Sequence, residues 1–406
     1  MKRCLFSIYT PGFPNQFSGG PNNIIFKIVN NLNHKSLEFD YLSYDVFIKS
    51  LDSNNLLLSE SQLSLKKKIT SYLFTNSFIY RKFFGSDLYL RYHHYKKNKY
   101  FNYYQKNLNK YDIIHSQDSI SLGLVAPKDY KGKKILTIHS KGPLSDEIVQ
   151  SIRSVELKDK INKRLKDLER KNTDLADIIS FPSNASKYYF EKSLNSKIRE
   201  DKVRIINNGV DYEFISSICK DENILKKYSI SKPEGYMVLI NVADYAPEKN
   251  FDTLINLVNI LIKEYRYKLL LLSIGANNEF HFEEKVKKLG LEHYIKFLGK
   301  ISHIDVIRLF KVCDIFIMTS RKVIFDLVVL EALAAGIYCI VSNEGGNKEI
   351  IIDGENGWLV DIENHSLIIE KIMMPGKEKF KKSSIETAKR YSLQKMVKEY
   401  YNMYMS

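Results

Sequence analysis

Cysteine is scarce in this chain, and the scarcity bounds its chemistry. Four cysteines stand in 406 residues, Cys4, Cys219, Cys313 and Cys339, far apart from one another. That excludes both the paired spacing of a zinc site and the dense bridging of a secreted disulfide scaffold. At least three lie in apolar strand-like or helical surroundings and read as small core residues in a reducing compartment. Long apolar runs are missing too. Residues 323–342 have the length of a membrane span, but Asp326 and Glu331 within it would each cost about 2.5–3.5 kcal/mol at a bilayer centre, and Gly336 interrupts it. The opening MKRCLFSIYTPGFP has too short an apolar run for a secretory leader and passes straight into a Pro-Gly loop. There is no low-complexity linker, and no internal repeat beyond two similar α/β halves. What is left is a globular chain, expected in the cytoplasm and long enough for two domains.

Acids are also scarce over one stretch. Between Lys66 and Lys110 eleven Lys or Arg face a single acid, Asp87, so this segment carries +10 of the chain's net +15, together with thirteen Phe or Tyr. Three readings fit. A nucleic-acid groove would use the charges on phosphates and the rings for stacking. A membrane-surface helix would set the rings at headgroup level, with each basic residue contributing about 1 kcal/mol against anionic lipid. An ordinary helical subdomain in a chain rich in Lys, Asn, Ile and Tyr needs neither partner.

Elsewhere, strand-like and helix-like patterns alternate, the signature of parallel sheets crossed by helices. Arg3 to Tyr9 reads as a first strand. A loop with Gly19 and Gly20 follows and opens an amphipathic helix through Ile24, Ile25, Ile28, Val29 and Leu32, so the glycines sit where a backbone can approach a ligand at a helix N-terminus. Further strands are expected at Leu37 to Tyr44, at Tyr111 to His115 (YDIIH) and at Lys134 to His139 (KILTIH), the last two each ending in histidine. Lys158 to Lys171 reads as a charged helix. Later strands are expected at Tyr236 to Val242, Lys268 to Gly275 and Tyr294 to Gly299. Ser384 to Tyr404 shows apolar residues at helical spacing.

The stretch around which these elements are organised runs from Cys313 to Val360. It reads as a buried strand (Ile315 to Thr319), a loop, a short helix opened by Asp326 and closed by Gly336, a second strand (Tyr338 to Ser342), a Gly345-Gly346 loop and a helix carrying Glu349. Units of this kind place ligands at the carboxyl ends of strands, where helix N-termini attract phosphate. Asp326 is more readily an N-cap than a catalyst. Glu331 is the oddity, a carboxylate one turn inside an otherwise apolar helix, which costs stability unless a partner such as a ribose diol meets it.

The run LVVLEALAAG, followed by IVSNEGG, Glu349 and DGENGWLV, resembles the nucleotide-binding segment of retaining GT-B glycosyltransferases of the GT4 family. The turn KVRIINNGVD, the strand and serine of ADIISFPS (Ser183), His139 in ILTIHSKGP and Lys249 in APEKNF extend the likeness over nearly the whole chain. The fold it implies is α/β, with two Rossmann-like doubly wound domains facing a cleft. Residues 1–212 would be the acceptor-side domain, with a C-terminal helix at about 388–406 crossing back to it, and 213–387 the nucleotide-sugar domain.

The resemblance implies transfer of a sugar from a nucleotide diphosphate sugar to a hydroxyl, with retention at the anomeric carbon and without a metal or other cofactor. Glu331 would hold the ribose, Lys249 would neutralise the leaving diphosphate, and His139 would orient the sugar or acceptor. Donor contacts are implied at Gly19, Gly20, Arg321, Lys322, Ile324, Phe325, Asp326 and Leu327, with Gly299 and Lys300 at the base. The acceptor would be a lipid-linked surface glycan, which inclines the 66–110 segment toward an anionic membrane at the inner face of the cell and away from nucleic acid. Two positions depart from the family. Val323 stands where a first glutamate is usual, and Asp244 where an arginine is usual, with Arg321 and Lys322 as candidate replacements for that charge. A degenerate binding subunit that keeps the fold without the chemistry is the rival expectation.

Overall fold

The computed structural model describes residues 1–8, 20–32, 36–43, 46–50, 108–126, 129–150, 155–276 and 282–406. Gly19 and nearly all of the basic, aromatic segment lie outside these residues. The chain forms two compact units, Met1–Ile206 with Val397–Ser406, and Asn207–Met396.

The first unit is built on β1 (Lys2–Ile8), β2 (Leu37–Ser43), β3 (Val46–Ser50), β4 (Ile113–Ser116), β5 (Lys133–Thr137), β6 (Ile178–Phe181) and β7 (Val203–Ile205), in the order β3-β2-β1-β4-β5-β6-β7. All neighbours run parallel except β2 and β3. That antiparallel strand is not foreseen from the sequence, since Tyr44-Asp45 lacks the Asn-Gly or Gly signal of a two-residue hairpin. The unit's helices are α1 (Gly20–Leu32), α2 (Leu122–Val125), α3 (Leu144–Gln150), α4 (Val155–Leu175) and α5 (Asn184–Leu194). The expected apolar face of α1, Ile24 through Leu32, is buried.

The second unit carries α6 (Tyr212–Ser217), α7 (Ile224–Lys227), β8 (Met237–Val242), α8 (Phe251–Lys263), β9 (Leu269–Ile274), α9 (Phe282–Lys288), β10 (Ile295–Gly299), α10 (His303–Val312), β11 (Ile315–Met318), α11 (Leu327–Ala335), β12 (Tyr338–Ser342), α12 (Asn347–Ile350), β13 (Trp358–Val360), α13 (His365–Met373) and α14 (Lys381–Arg390), while of α15 (Leu393–Met405) only the first residues, through Met396, belong to it. Its sheet is parallel throughout, in the order β10-β9-β8-β11-β12-β13. The strands read as unbroken apolar runs because both faces are covered, and their side chains alternate between two cores. Ile315 and Ile317 join Tyr338, Ile340, Leu269 and Leu271 on one face. Phe316 and Met318 join Cys339, Val341, Leu270 and Leu272 on the other.

The Asn-Gly-Val-Asp turn belongs to this second unit. Val210 bridges Ser392, and a Cβ on Gly209 would lie 2.7 Å from the Leu393 Cα and the Ser392 carbonyl oxygen. The C-terminal helical pattern is two helices, α14 and α15, separated at Tyr391-Ser392. Residues 397–406 of the chain return to the first unit, where Lys2 Nζ donates to Tyr404 O (3.2 Å) and Lys133 Nζ to Met403 O (3.2 Å), two cations at the carbonyl end of α15. The cysteines divide: Cys4 and Cys339 are buried as core residues, Cys313 is half-buried and Cys219 exposed. Position relative to helix ends decides this, since Cys219 falls in the loop after α6 and Cys313 at the C-cap of α10.

Candidate active site

In the second sheet the strand order reverses between β8 and β11, and open parallel sheets bind ligands outside the carboxyl ends of the strands at such a reversal. The loops after β8 and β11 meet there. Thr319 Oγ1 donates to Asn250 O (3.1 Å), Arg321 N to Glu248 O (2.7 Å), and Asn241 Nδ2, one residue before the end of β8, to Ile317 O (2.9 Å). The loop after β12 closes on the same place: Ser342 Oγ donates to Ser320 O (2.6 Å) and Gly346 N to Val323 O (3.0 Å). Gly346 is needed for that approach, because a Cβ there would stand 1.8 Å from the Ile324 carbonyl oxygen.

Lys249 and Asp326 are brought together across these loops, Nζ to Oδ2 at 3.5 Å, with about a quarter of each side chain exposed. Asp326 occupies the N-cap position of α11 in extended backbone, yet its side chain makes no capping hydrogen bond. It faces the lysine instead. Glu331, one turn into α11, is 18 % exposed and meets His303 Nε2 at 2.9 Å through Oε1. His303 opens α10 and lies parallel to the ring of Phe214, with centroids 6.1 Å apart.

Both departures from the family pattern have local causes. Val323 is 2 % exposed and belongs to the apolar core, where a glutamate would be desolvated. The Asp244 carboxylate accepts the Ala276 amide (2.9 Å), tying the loop after β8 to the loop after β9. Arg321 pairs with Glu363 (2.7 Å), both about half or more exposed, and Lys322 is exposed with left-handed backbone. Phe325 is buried against Tyr391, while Ile324 and Leu327 are partly buried. Gly299 ends β10 with positive φ, its carbonyl accepting the Gly275 amide (3.1 Å), and Lys300 is exposed beside it. Gly20 is the first residue of α1.

In the first unit the corresponding reversal lies between β1 and β4. His139 follows β5 by two residues and is partly buried. Its Nε2 lies 2.7 Å from Gln117 Oε1, and burial pushes the imidazole down to about 4, so it is neutral at neutral pH. His115, the other strand-end histidine, sits inside β4 and is fully buried, sealed from any substrate. The loop after β4 and the start of α3 are pinned together by Glu169, a fully buried carboxylate on α4. It accepts Ser119 Oγ (2.5 Å), the Ser145 amide (3.1 Å) and Ser145 Oγ (2.5 Å), and burial raises its pKa. Gln117, Glu169 and His303 were not singled out from the sequence. Gln117 had a signal, since it follows His115 by two residues along the chain, the side-chain period of a strand. Glu169 is hidden in a helix dense with charge.

Among the described residues no group of three or more His, Cys, Asp or Glu side chains is placed to hold a metal ion. No helix among them is long and apolar enough to cross a membrane.

Comparison with known proteins agrees with this architecture. The family model for Glycosyltransferase Family 4 matches residues 75–214, and that for Glycosyl transferases group 1 matches residues 223–391. The N-acetyl-alpha-D-glucosaminyl L-malate synthase of Bacillus anthracis is 33 % identical over 156 residues, 37 % of this chain and 39 % of that protein. Such matches span between 39 % and 58 % of the first curated relatives' own length. Among solved structures, sucrose-phosphate synthase from Thermosynechococcus elongatus superposes with a TM-score of 0.71 at 15 % identity, over 100 % of this chain and 98 % of that one. Anabaena HepE in complex with UDP and glucose gives 0.67 at 16 % identity, over 99 % of each chain. With both halves matched by the family's models and the two doubly wound sheets shared with its solved structures, the chain belongs to the GT4-type glycosyltransferases and has the GT-B fold.

Proposed function

We propose that the chain transfers a sugar from a nucleoside diphosphate sugar to a hydroxyl, with retention at the anomeric carbon and without a metal. The observation that carries this reading is the pairing at the β8–β11 reversal. One cation, Lys249, stands at the loop where a diphosphate would meet helix N-termini, and one carboxylate, Glu331, is held by His303 on the first turns of the adjoining helix. Glu331 accepts the ribose diol through its remaining lone pairs. Lys249 takes the charge that develops on the leaving diphosphate once the phosphate displaces Asp326. His139 in the other unit, neutral and partly buried, orients the sugar or the acceptor hydroxyl. The complex of Anabaena HepE with UDP and glucose supports a nucleotide sugar as donor. The acceptor is a lipid-linked surface glycan at the cytoplasmic membrane face, reached through the basic, aromatic residues 66–110.

Incubating the purified protein with a panel of nucleotide sugars, with and without membrane extract, and following release of nucleoside diphosphate tests the transfer. Release from none of the donors, with extract present, rejects it. Binding to liposomes tests the membrane half: it should require anionic lipid and fall with salt, and indifference to both rejects that half alone.

A second reading has its own observations. Val323 is committed to the core and Asp244 to a backbone amide, so two family positions are occupied by structural residues. A non-catalytic subunit that binds nucleotide or glycan would tolerate both. Saturable nucleotide binding without turnover on any donor would select it.

A further inference from the structure

We propose that Gln117 and the C-terminal helix lock His139 in one tautomer, with the proton on Nε2 and Nδ1 presented as the bare, accepting nitrogen. The functional half of this inference rests on the reading of His139 as a substrate-facing group; the tautomer itself does not.

A continuous chain of polar contacts runs from His139 through Gln117 and His115 to Tyr404 in the first unit. His139 Nε2 lies 2.7 Å from Gln117 Oε1, an atom that can only accept, so this nitrogen carries the hydrogen. The other end of the same amide, Gln117 Nε2, lies 3.0 Å from His115 Nε2 and can only donate. Thr137 Oγ1, 2.6 Å from that imidazole nitrogen, can give it its one hydrogen while accepting from Ser180 Oγ at 2.5 Å, so it is compatible with the same assignment. His115 Nε2 is therefore bare. Its hydrogen sits on Nδ1, which donates to Tyr404 OH at 2.9 Å. Gln117 is thus the coupling element. Because its two ends have opposite polarity, the two imidazoles take complementary roles, and the tautomer of one fixes that of the other.

Burial makes the lock tight. His115 and Tyr404 are fully buried and Gln117 is 1 % exposed, so water does not compete for these hydrogen bonds. His115 is further packed between the rings of Phe6 (5.3 Å), Tyr400 (6.1 Å) and Tyr404 (5.6 Å), which hold its plane. Tyr404 and Tyr400 both come from α15, so residues nearly 290 positions downstream of His115 terminate the chain of hydrogen bonds. An imidazole with a fixed bare nitrogen accepts a hydrogen bond from a sugar or acceptor hydroxyl without first having to exchange protons with solvent. Gln117 and Tyr404 are positioning residues in this scheme, acting through His139.

The test is long-range ¹H–¹⁵N correlation on the full chain labelled at histidine, with His115→Gln and His139→Gln variants used for assignment. The expected spectrum shows His139 protonated at Nε2 and bare at Nδ1, and His115 the reverse. In Gln117→Met, which keeps the length of the side chain and removes both polar ends, His139 should show averaged tautomers and turnover should fall about tenfold or more, with the KM for nucleotide sugar unchanged. Reversed or averaged tautomers in the unmodified protein overturn the proposal, and this measurement stands even if Gln117→Met does not fold. Locked tautomers together with full turnover in His139→Ala would leave the lock intact and reject the reading of His139 as a substrate contact.

Discussion

His303 Nε2 lies 2.9 Å from Glu331 Oε1, so the carboxylate on α11 is held from the opening turn of α10, the helix before it along the chain. An acid on an apolar helix is costly without a partner, and this contact supplies one while leaving Oε2 for a ligand. The pair is asymmetric in exposure, 53 % for the histidine and 18 % for the glutamate, so it orients more than it stabilises.

If Glu331 grips a ribose, Glu331→Ala should weaken nucleotide affinity by about 1–3 kcal/mol, the loss of a charged hydrogen bond. His303→Ala should weaken it by less. In a double-mutant cycle read by titration calorimetry, the histidine substitution should have no further effect once Glu331 is gone. Additive losses would show that the two act separately.

Lys249 is engaged by Asp326 at 3.5 Å, a contact that a diphosphate would have to displace if Lys249 is its partner. Asp326→Asn removes the competitor and should raise affinity for nucleoside diphosphate several-fold, with the gain shrinking as salt screens it. Lys249→Met should lower it. Unchanged affinity in Asp326→Asn, measured by competition binding at low salt, would place the phosphate elsewhere.

Gly346→Ala tests the loop architecture. A methyl group 1.8 Å from the Ile324 carbonyl oxygen forces backbone apart, a cost of about 1–3 kcal/mol for overpacking, and the shift falls on residues 323–326 beside the candidate site. Nucleotide affinity should fall together with the urea midpoint. A fall in the midpoint alone would separate this loop from the site.

Asp305, near the start of α10, carries a pH dependence. Burial opposes its charge, but hydrogen bonds from Lys227 and Tyr228 to the carboxylate outweigh burial and bring the carboxyl down to about 2. A depressed carboxyl contributes stability that is present above its unfolded value and lost as pH falls through the folded one. The window therefore lies between about pH 4 and pH 2. The contribution is at most about 2 kcal/mol, since the Lys227 partner is half exposed. Urea unfolding of Asp305→Asn should show a shallower acid limb than the parent across that window. Parallel limbs would remove the carboxylate from the account.

Much of this protein is written locally. The parallel strands are legible because burial on both faces demands unbroken apolar runs, as in Leu269 to Ile274, and the ends of α11 are legible because Asp326 and Gly336 are residues whose backbone preferences start and stop helices. Glu331 stands out as a charge in a setting that does not otherwise want it, whereas Lys249, in the polar turn APEKNF, is legible only through the family resemblance. What local chemistry does not specify is partnership across sequence distance. That Asp326 turns from its own helix to Lys249, that Arg321 is drawn to Glu363, that His115 is sealed by a tyrosine from the last helix while His139 stays partly open, and that Glu169 is buried in a helix patterned for solvent, all depend on which loops the sheet order brings side by side. Strand order fixes those neighbours, and hydrogen-bond polarity between them then assigns the roles that the sequence leaves open.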